Sequence, residues 1–392
     1  MRVLAVNCGS STLKFDALDA ATVEVTRAAA GMIDRIGPEA RAFLTSGDIR
    51  IERDTNAADH HTACSEALDL LDEAGLLEGI EAVGHRVVHG AALFREPVLI
   101  DDDVVAAIEQ ASELAPLHNG PALAAIRGAR ERLGAVPMVA TFDTAFYAGL
   151  PDVATTYALP RELSERLGIR RYGFHGLAHG YMVERYRALR PDVERPRVIS
   201  MQLGNGCSVT ATVDRRPIDT SMGFTPLEGL IMGTRSGDVD PSVPLYLAEK
   251  EGMTPDEVDE LLNKRSGLLG ISGRTGDMRE LVEAARSRDA DADLAVRAFC
   301  YRALKYAGAY LAALGGADAV LFGGGIGENA PGVREAIGGG LEFAGLRLDA
   351  GRNARASGPE TLITAEGSTI EAWVVAVDEA SVIARDTVGV VG

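Results

Sequence analysis

Gly84-His85-Arg86-Val87-Val88-His89-Gly90 sets an arginine inside an otherwise apolar, strand-like run. A guanidinium buried without a partner is costly, so Arg86 should meet an anion, either a structural carboxylate or a substrate. A second arginine, Arg235, lies in the glycine-punctuated loop Gly233-Thr234-Arg235-Ser236-Gly237-Asp238, where core packing explains it poorly. Tyr172-Gly173-Phe174-His175-Gly176 places an imidazole between glycines in a loop beside Arg170 and Arg171, a setting that leans towards function. His175 and His179 are spaced i, i+4 like a metal pair, but the glutamate of HExxH is missing. Thr141-Phe142-Asp143-Thr144 ends an apolar strand at a carboxylate, where open α/β sheets place chemistry, with a helix N-cap as the competing reading. In Asn7-Cys8-Gly9-Ser10-Ser11-Thr12, backbone N–H groups together with Ser10, Thr12 and Lys14 could hold a terminal phosphate, and an ordinary hairpin connection is the plain alternative.

These groups need a frame. Residues 3–6 read as a short buried strand and 13–18 as its return, a hairpin. The arrangement recurs at 198–203 and 208–213 around Gly204-Asn205-Gly206, which suggests two related halves. A third apolar segment, 319–322, enters the glycine-rich turn Gly323-Gly324-Gly325-Ile326-Gly327-Glu328-Asn329, after which Pro331 opens a helix reaching about residue 337. Helical periodicity covers 103–114, 121–133, 177–189, 255–263 and 292–314, so strands and helices alternate and the class is α/β. The Walker pattern is absent and the glycine turn lacks the last glycine of GxGxxG, which weakens P-loop and Rossmann readings. With no linker signal, the boundary is placed from the repeat near Ala145. The last strand, 373–377, and the helix after it are expected to pack back on the first domain, giving an N-terminal domain of 1–145 plus 376–392 and a C-terminal domain of 146–375.

With 392 residues and 46% hydrophobic content the chain can bury substantial cores. A formal net charge of -18 argues against nucleic-acid and anionic-membrane partners, so any small anion must be held by a local cluster of cations. Four scattered cysteines without a CxxC pair fit neither a zinc site nor a disulfide framework, and a cytoplasmic setting is the simplest expectation. The N-terminus lacks a signal-peptide core and no apolar run is long enough to span a bilayer.

Taken in order and spacing across the whole chain, NCGSSTLK, GHRVVHG, APLHN, FDTAF, RRYGFHG, LGNG, DTSMGFTPLEGLIMGTRSGDVDP, SGLLGISGRTGDMRE, FGGGIGEN and VDEASVIARDT resemble the acetate kinase (acetokinase) family. The resemblance implies an α/β fold of two domains, each built on a duplicated βββαβαβα, RNase H-like core, with an active-site cleft between them. Such is the fold of the acetate and sugar kinase, heat-shock ATPase and actin superfamily. It also implies reversible transfer of the ATP γ-phosphoryl group to acetate, a cytoplasmic homodimer, and Mg2+ (or Mn2+) held at Asn7 and Glu379. Carried over by motif, Asp143, His175, Arg235 and Arg86 would be catalytic, and Arg86, Val88, Leu117, Phe174 and Pro226 would bind the acid. Ser10, Thr12 and Lys14 would hold phosphate. Gln202, Leu203, Gly204, Asn205, Gly206, Asp277, Met278, Arg279, Gly325, Ile326, Gly327, Glu328 and Asn329 would hold ATP or ADP in the C-terminal domain. Gln202 stands where the family usually has histidine, which bears on the phosphoryl donor; Tyr147 likewise stands for a histidine and Ala380 for an acid.

The chemistry agrees independently. A carboxylic acid with a pKa of about 4 to 5 is already ionised at neutral pH, so the nucleophile needs no general base but does need its charge cancelled. A sugar or alcohol kinase would instead use Asp143 as a base. A propionate kinase, a pyrophosphate-dependent kinase and a non-catalytic nucleotide switch are the alternatives, with small acids and nucleotides as the ligands and a second copy of the chain as the partner implied.

Overall fold

The computed structural model describes residues 1–22, 24–112 and 116–392, without the side chains of 116–118. The chain divides into two compact units, Met1–Ala148 with Asp378–Gly392, and Gly149–Val377.

The first unit holds an eight-stranded sheet made of β1 (Arg2–Cys8), β2 (Leu13–Ala20), β3 (Val25–Asp34), β4 (Arg41–Ser46), β5 (Ile49–Asp54), β6 (Ala82–Val87), β7 (Val98–Leu99) and β8 (Met138–Phe142), in the order β5-β4-β3-β2-β1-β6-β8-β7. β1, β2 and β3 are antiparallel neighbours, whereas β1, β6 and β8 run parallel. One face packs on helices His60–Glu73 and Pro116–Leu133 through Leu4, Val6, Phe15, Val83 and Val87. The other packs on the final helix, Glu379–Val391. Burial on both faces is why β6 and β8 read as near-continuous apolar runs. Gly84 is where the final helix comes closest: a Cβ there would lie 2.3 Å from Thr387 Oγ1 and 2.4 Å from Ile383 Cγ2.

The second unit holds β9 (Arg197–Leu203), β10 (Cys207–Val213), β11 (Arg216–Thr220), β12 (Ala319–Gly323), β13 (Glu360–Leu362) and β14 (Glu371–Val375), ordered β11-β10-β9-β12-β14-β13. Its antiparallel β11-β10-β9 followed by parallel β12 and β14 repeats the β3-β2-β1-β6-β8 pattern of the first sheet. The two hairpins predicted from sequence are therefore equivalent parts of a repeated α/β core. Helix Gly176–Leu189 packs on β9 and helix Ala290–Leu314 on β10.

Several expectations change. The strand predicted at 373–377 is β14 and pairs in the second sheet, so only the helix after it joins the first unit. Pro121 lies inside helix Pro116–Leu133 instead of opening it, because Pro116 already occupies the first turn. The 103–114 helix runs Asp102–Ala111, with 113–115 outside the described residues. The glycine-rich turn is itself a short helix, Gly324–Asn329, entered through Gly324 at φ +74, where a Cβ would meet Leu203 O at 2.6 Å. The Pro331 helix follows, Pro331–Gly339.

Candidate active site

Parallel strands β1, β6 and β8 bring Asn7, Arg86 and Asp143 to their carboxyl ends, and the first turn of the final helix adds Glu379. Arg86 donates from Nε to Asp143 Oδ1 (3.1 Å), from Nη2 to Asp143 Oδ2 (2.6 Å) and from Nη1 to Asn7 Oδ1 (3.0 Å). Glu379 Oε2 lies 3.7 Å from Nη1 and accepts from Asn7 Nδ2 at 2.6 Å. Burial works against the guanidinium's charge, but Asp143 and Glu379 more than offset it and hold its pKa above the ordinary value. Asp143 is fully buried and opens a 3₁₀ turn whose N-cap is Phe142, so it is not a helix cap. Lys14 pairs across the hairpin with Asn7 and is exposed, as is Ser10, while Thr12 is half-buried. Val88 is buried beside His89, whose backbone N–H and C=O are both bonded by the Asn119 side chain (2.9 and 2.8 Å). The Leu117 side chain lies outside the described residues.

In the second unit, His175 takes a left-handed conformation (φ 58) as the N-cap of helix Gly176–Leu189. Arg235 reaches the same place from its loop. A Cβ on Gly206 would sit 2.4 Å from Arg235 Nη2 and 3.4 Å from His175 Nε2, so glycine at the β9–β10 turn leaves room for both. Arg235 Nη1 donates to Pro226 O at 2.7 Å, and no carboxylate among the described residues pairs with it. Burial consequently pushes its pKa down to about 10, so it is charged at neutral pH and uncompensated. Phe174 and Pro226 are both buried. The His175 and His179 pair is not arranged for a metal, since both ring nitrogens of His179 are taken by hydroxyls, Ser200 and Ser208, at 2.7 Å each.

A cavity of about 920 Å³ opens in the same unit, lined by Gly204, Asn205, Asp277, Met278, Arg279, Gly325, Ile326 and Asn329 among others. Asp277 caps helix Met278–Arg286 and pairs with Arg279 at 2.6 Å. Leu203 is buried in its strand, Gly206 turns towards Arg235, Gly327 and Glu328 give their carbonyls to buried Arg334, and none of these lines the cavity. Gln202 also stays out of it, its Oε1 buried without a partner among the described residues. Val282, Arg286, Pro331 and Gly332 line it too and were missed from sequence. Stepping i, i+4 from Met278 would have found the first two.

The sequence profile of the Acetokinase family matches residues 2–385. This chain belongs to the Acetokinase family. An acetate kinase of Solibacter usitatus is 47% identical over 404 aligned residues, covering 99% of this chain and 98% of that protein. Acetate kinase from Porphyromonas gingivalis superposes with a TM-score of 0.90 at 38% identity, and a propionate kinase from Francisella tularensis with 0.93 at 37%, each covering 100% of both chains. The Acetokinase fold, α/β with the repeated core described above, is therefore the fold of this protein. No described helix is long and apolar enough to cross a membrane.

Proposed function

We propose that the protein is an ATP:acetate phosphotransferase, an acetate kinase that makes acetyl phosphate and ADP reversibly. Arg235 carries this reading: a charged guanidinium without a carboxylate, beside His175 and the buried Phe174 and Pro226, suits an anion with a small apolar end. The acid's carboxylate attacks the γ-phosphorus in line and the γ-phosphorus–oxygen bond to ADP breaks. The nucleophile brings no proton, so Asp143 need not act as a base; with both oxygens accepting from Arg86, it orients that arginine. Arg86, Arg235 and His175 serve the same transfer by stabilising charge on the equatorial oxygens. Val88, Phe174 and Pro226, with Leu117, take the methyl group.

Gly204, Asn205, Asp277 to Arg279, Gly325, Ile326 and Asn329 hold the nucleotide, while Ser10, Thr12 and Lys14 meet its terminal phosphate. Asn7 and Glu379 touch one another and offer only hard oxygen ligands, a donor set that fits Mg2+ or Mn2+ shared with substrate phosphates. Such an ion would supply charge neutralisation at the β- and γ-phosphates. The unit Gly149–Val377 is then the nucleotide-binding domain of a cytoplasmic enzyme, and both units supply residues to the acid. A homodimer is part of this reading, supported by helix Ser242–Glu251, in which no residue is buried and Leu245 is 73% exposed.

Purified protein with acetate, ATP and Mg2+ should yield acyl phosphate that hydroxylamine traps; no product beside an active control kinase rejects the proposal. Propionate is the second reading, favoured by the likeness to a propionate kinase. It would stand if kcat/KM for propionate exceeded that for acetate. Pyrophosphate as a competing donor in the same assay tests the consequence of Gln202.

A further inference from the structure

His175 does not stand alone in its unit. Its Nδ1 lies 2.8 Å from Ser208 Oγ, and the same hydroxyl lies 2.7 Å from His179 Nε2. His179 Nδ1 continues the row to Ser200 Oγ at 2.7 Å, and Ser200 Oγ donates to Thr210 O at 3.5 Å. Helix and sheet geometry explain the row. His175 and His179 are one helical turn apart, joined by the His179 N–H to His175 O bond of 2.9 Å. Ser200 and Ser208 come from β9 and β10, whose register pairs Ser200 with Thr210 and Gln202 with Ser208, so all four point to the face that helix Gly176–Leu189 covers. His179, Ser200 and Ser208 are completely buried.

The row ends at a carbonyl, which can only accept, and this gives it a direction. Ser200 spends its proton on Thr210 O, so its oxygen accepts from His179 Nδ1–H. Burial keeps His179 neutral, holding its pKa down to about 3, so Nε2 carries a lone pair. That lone pair accepts the Ser208 proton. Ser208 Oγ has then no proton left to give and must accept from His175 Nδ1–H. We infer that Ser208 and His179 are positioning residues that lock His175 as the Nδ1–H tautomer, leaving Nε2, the atom beside Arg235 and Gly206, as the nitrogen that gains or loses a proton. In the proposed transfer, on which this inference rests for its catalytic meaning, His175 then donates to the phosphoryl oxygens only as the imidazolium.

The test uses ¹⁵N-histidine-labelled full-length protein without ligand, in alkaline buffer. The Nδ1 resonance of His175 should be that of a protonated nitrogen and Nε2 that of a bare one; the reverse tautomer overturns the inference. Ser208→Ala should abolish this tautomer preference and lower kcat about 10- to 100-fold, with a smaller change in the KM for acetate. Ser208→Thr, which keeps the hydroxyl, and His179→Gln, which keeps an acceptor at the Nε2 position, should restore most of both. An unchanged tautomer in a folded Ser208→Ala protein also overturns it. Because the tautomer is read without substrate, a wild-type protein that shows the Nδ1–H form but makes no acyl phosphate would sink the proposed function and leave the lock standing.

Discussion

Arg86 and Asp143 meet in a two-pronged ion pair, Nε to Oδ1 at 3.1 Å and Nη2 to Oδ2 at 2.6 Å, with Asp143 fully buried and the Arg86 side chain 13% exposed. The matched fork suits guanidinium and carboxylate, and lysine cannot reproduce it. Asp143→Asn should lower kcat roughly 10²- to 10³-fold by releasing Arg86 from its orientation. Asp143→Ala should in addition cost about 3–5 kcal/mol, because it leaves a buried cation short of a partner. Urea denaturation checks the second figure; a loss under about 1 kcal/mol would mean the pair does not hold Arg86.

Arg235 predicts the opposite balance. Its charge is half-buried without a carboxylate, so Arg235→Leu should stabilise the ligand-free protein by about 1 kcal/mol while lowering kcat/KM at least about 10²-fold. Thermal unfolding without substrates and steady-state kinetics read the two effects. A destabilised Arg235→Leu protein would show that the arginine is held by packing instead of being kept for an anion.

Gly325 lines the 920 Å³ cavity, and a Cβ there would meet nothing within 4 Å. Gly325→Leu should therefore fold normally yet fill space needed by the nucleotide. The KM for ATP should rise about tenfold or more, with the KM for acetate little changed. An unaltered ATP affinity would place the nucleotide elsewhere.

His85 gives a pH signature. It is buried between Gly84 and Arg86, neither ring nitrogen has a partner among the described residues, and burial, with Arg130 adding to it, pushes its pKa down to about 3. Above the ordinary 6.5 the ring is neutral folded and unfolded; below it only the unfolded chain takes the proton, so stability falls as pH drops from 6.5 towards 3. His85→Leu should remove about 1.4 kcal/mol per pH unit of that slope and raise stability at pH 8 by about 1–3 kcal/mol. Urea midpoints at pH 8, 6 and 5 decide it, and parallel curves for the two proteins would refute the assignment.

Local rules made much of this molecule legible. Alternation and turn residues located the β1–β2 and β9–β10 hairpins, and helical periodicity found 177–189 and 255–263 to within a residue of Gly176–Leu189 and Pro255–Lys264. Arg86, Arg235 and His175 stood out because charged or titratable groups occupied settings that packing alone explains poorly. Those signals are short-range: they depend on a period of two or 3.6 residues and on backbone chemistry within a turn.

Partnership was not legible. Nothing local says that Arg86 will find Asp143 and Glu379, that β14 stays in the second sheet while the next helix leaves it, or that one Ser208 hydroxyl will serve two histidines. The amino-acid order by itself determined which residues needed partners and which segments were strand or helix. Only the tertiary structure decided who the partners are, because strand order and register bring together side chains that are remote in the chain, and burial then sets which of them stay charged.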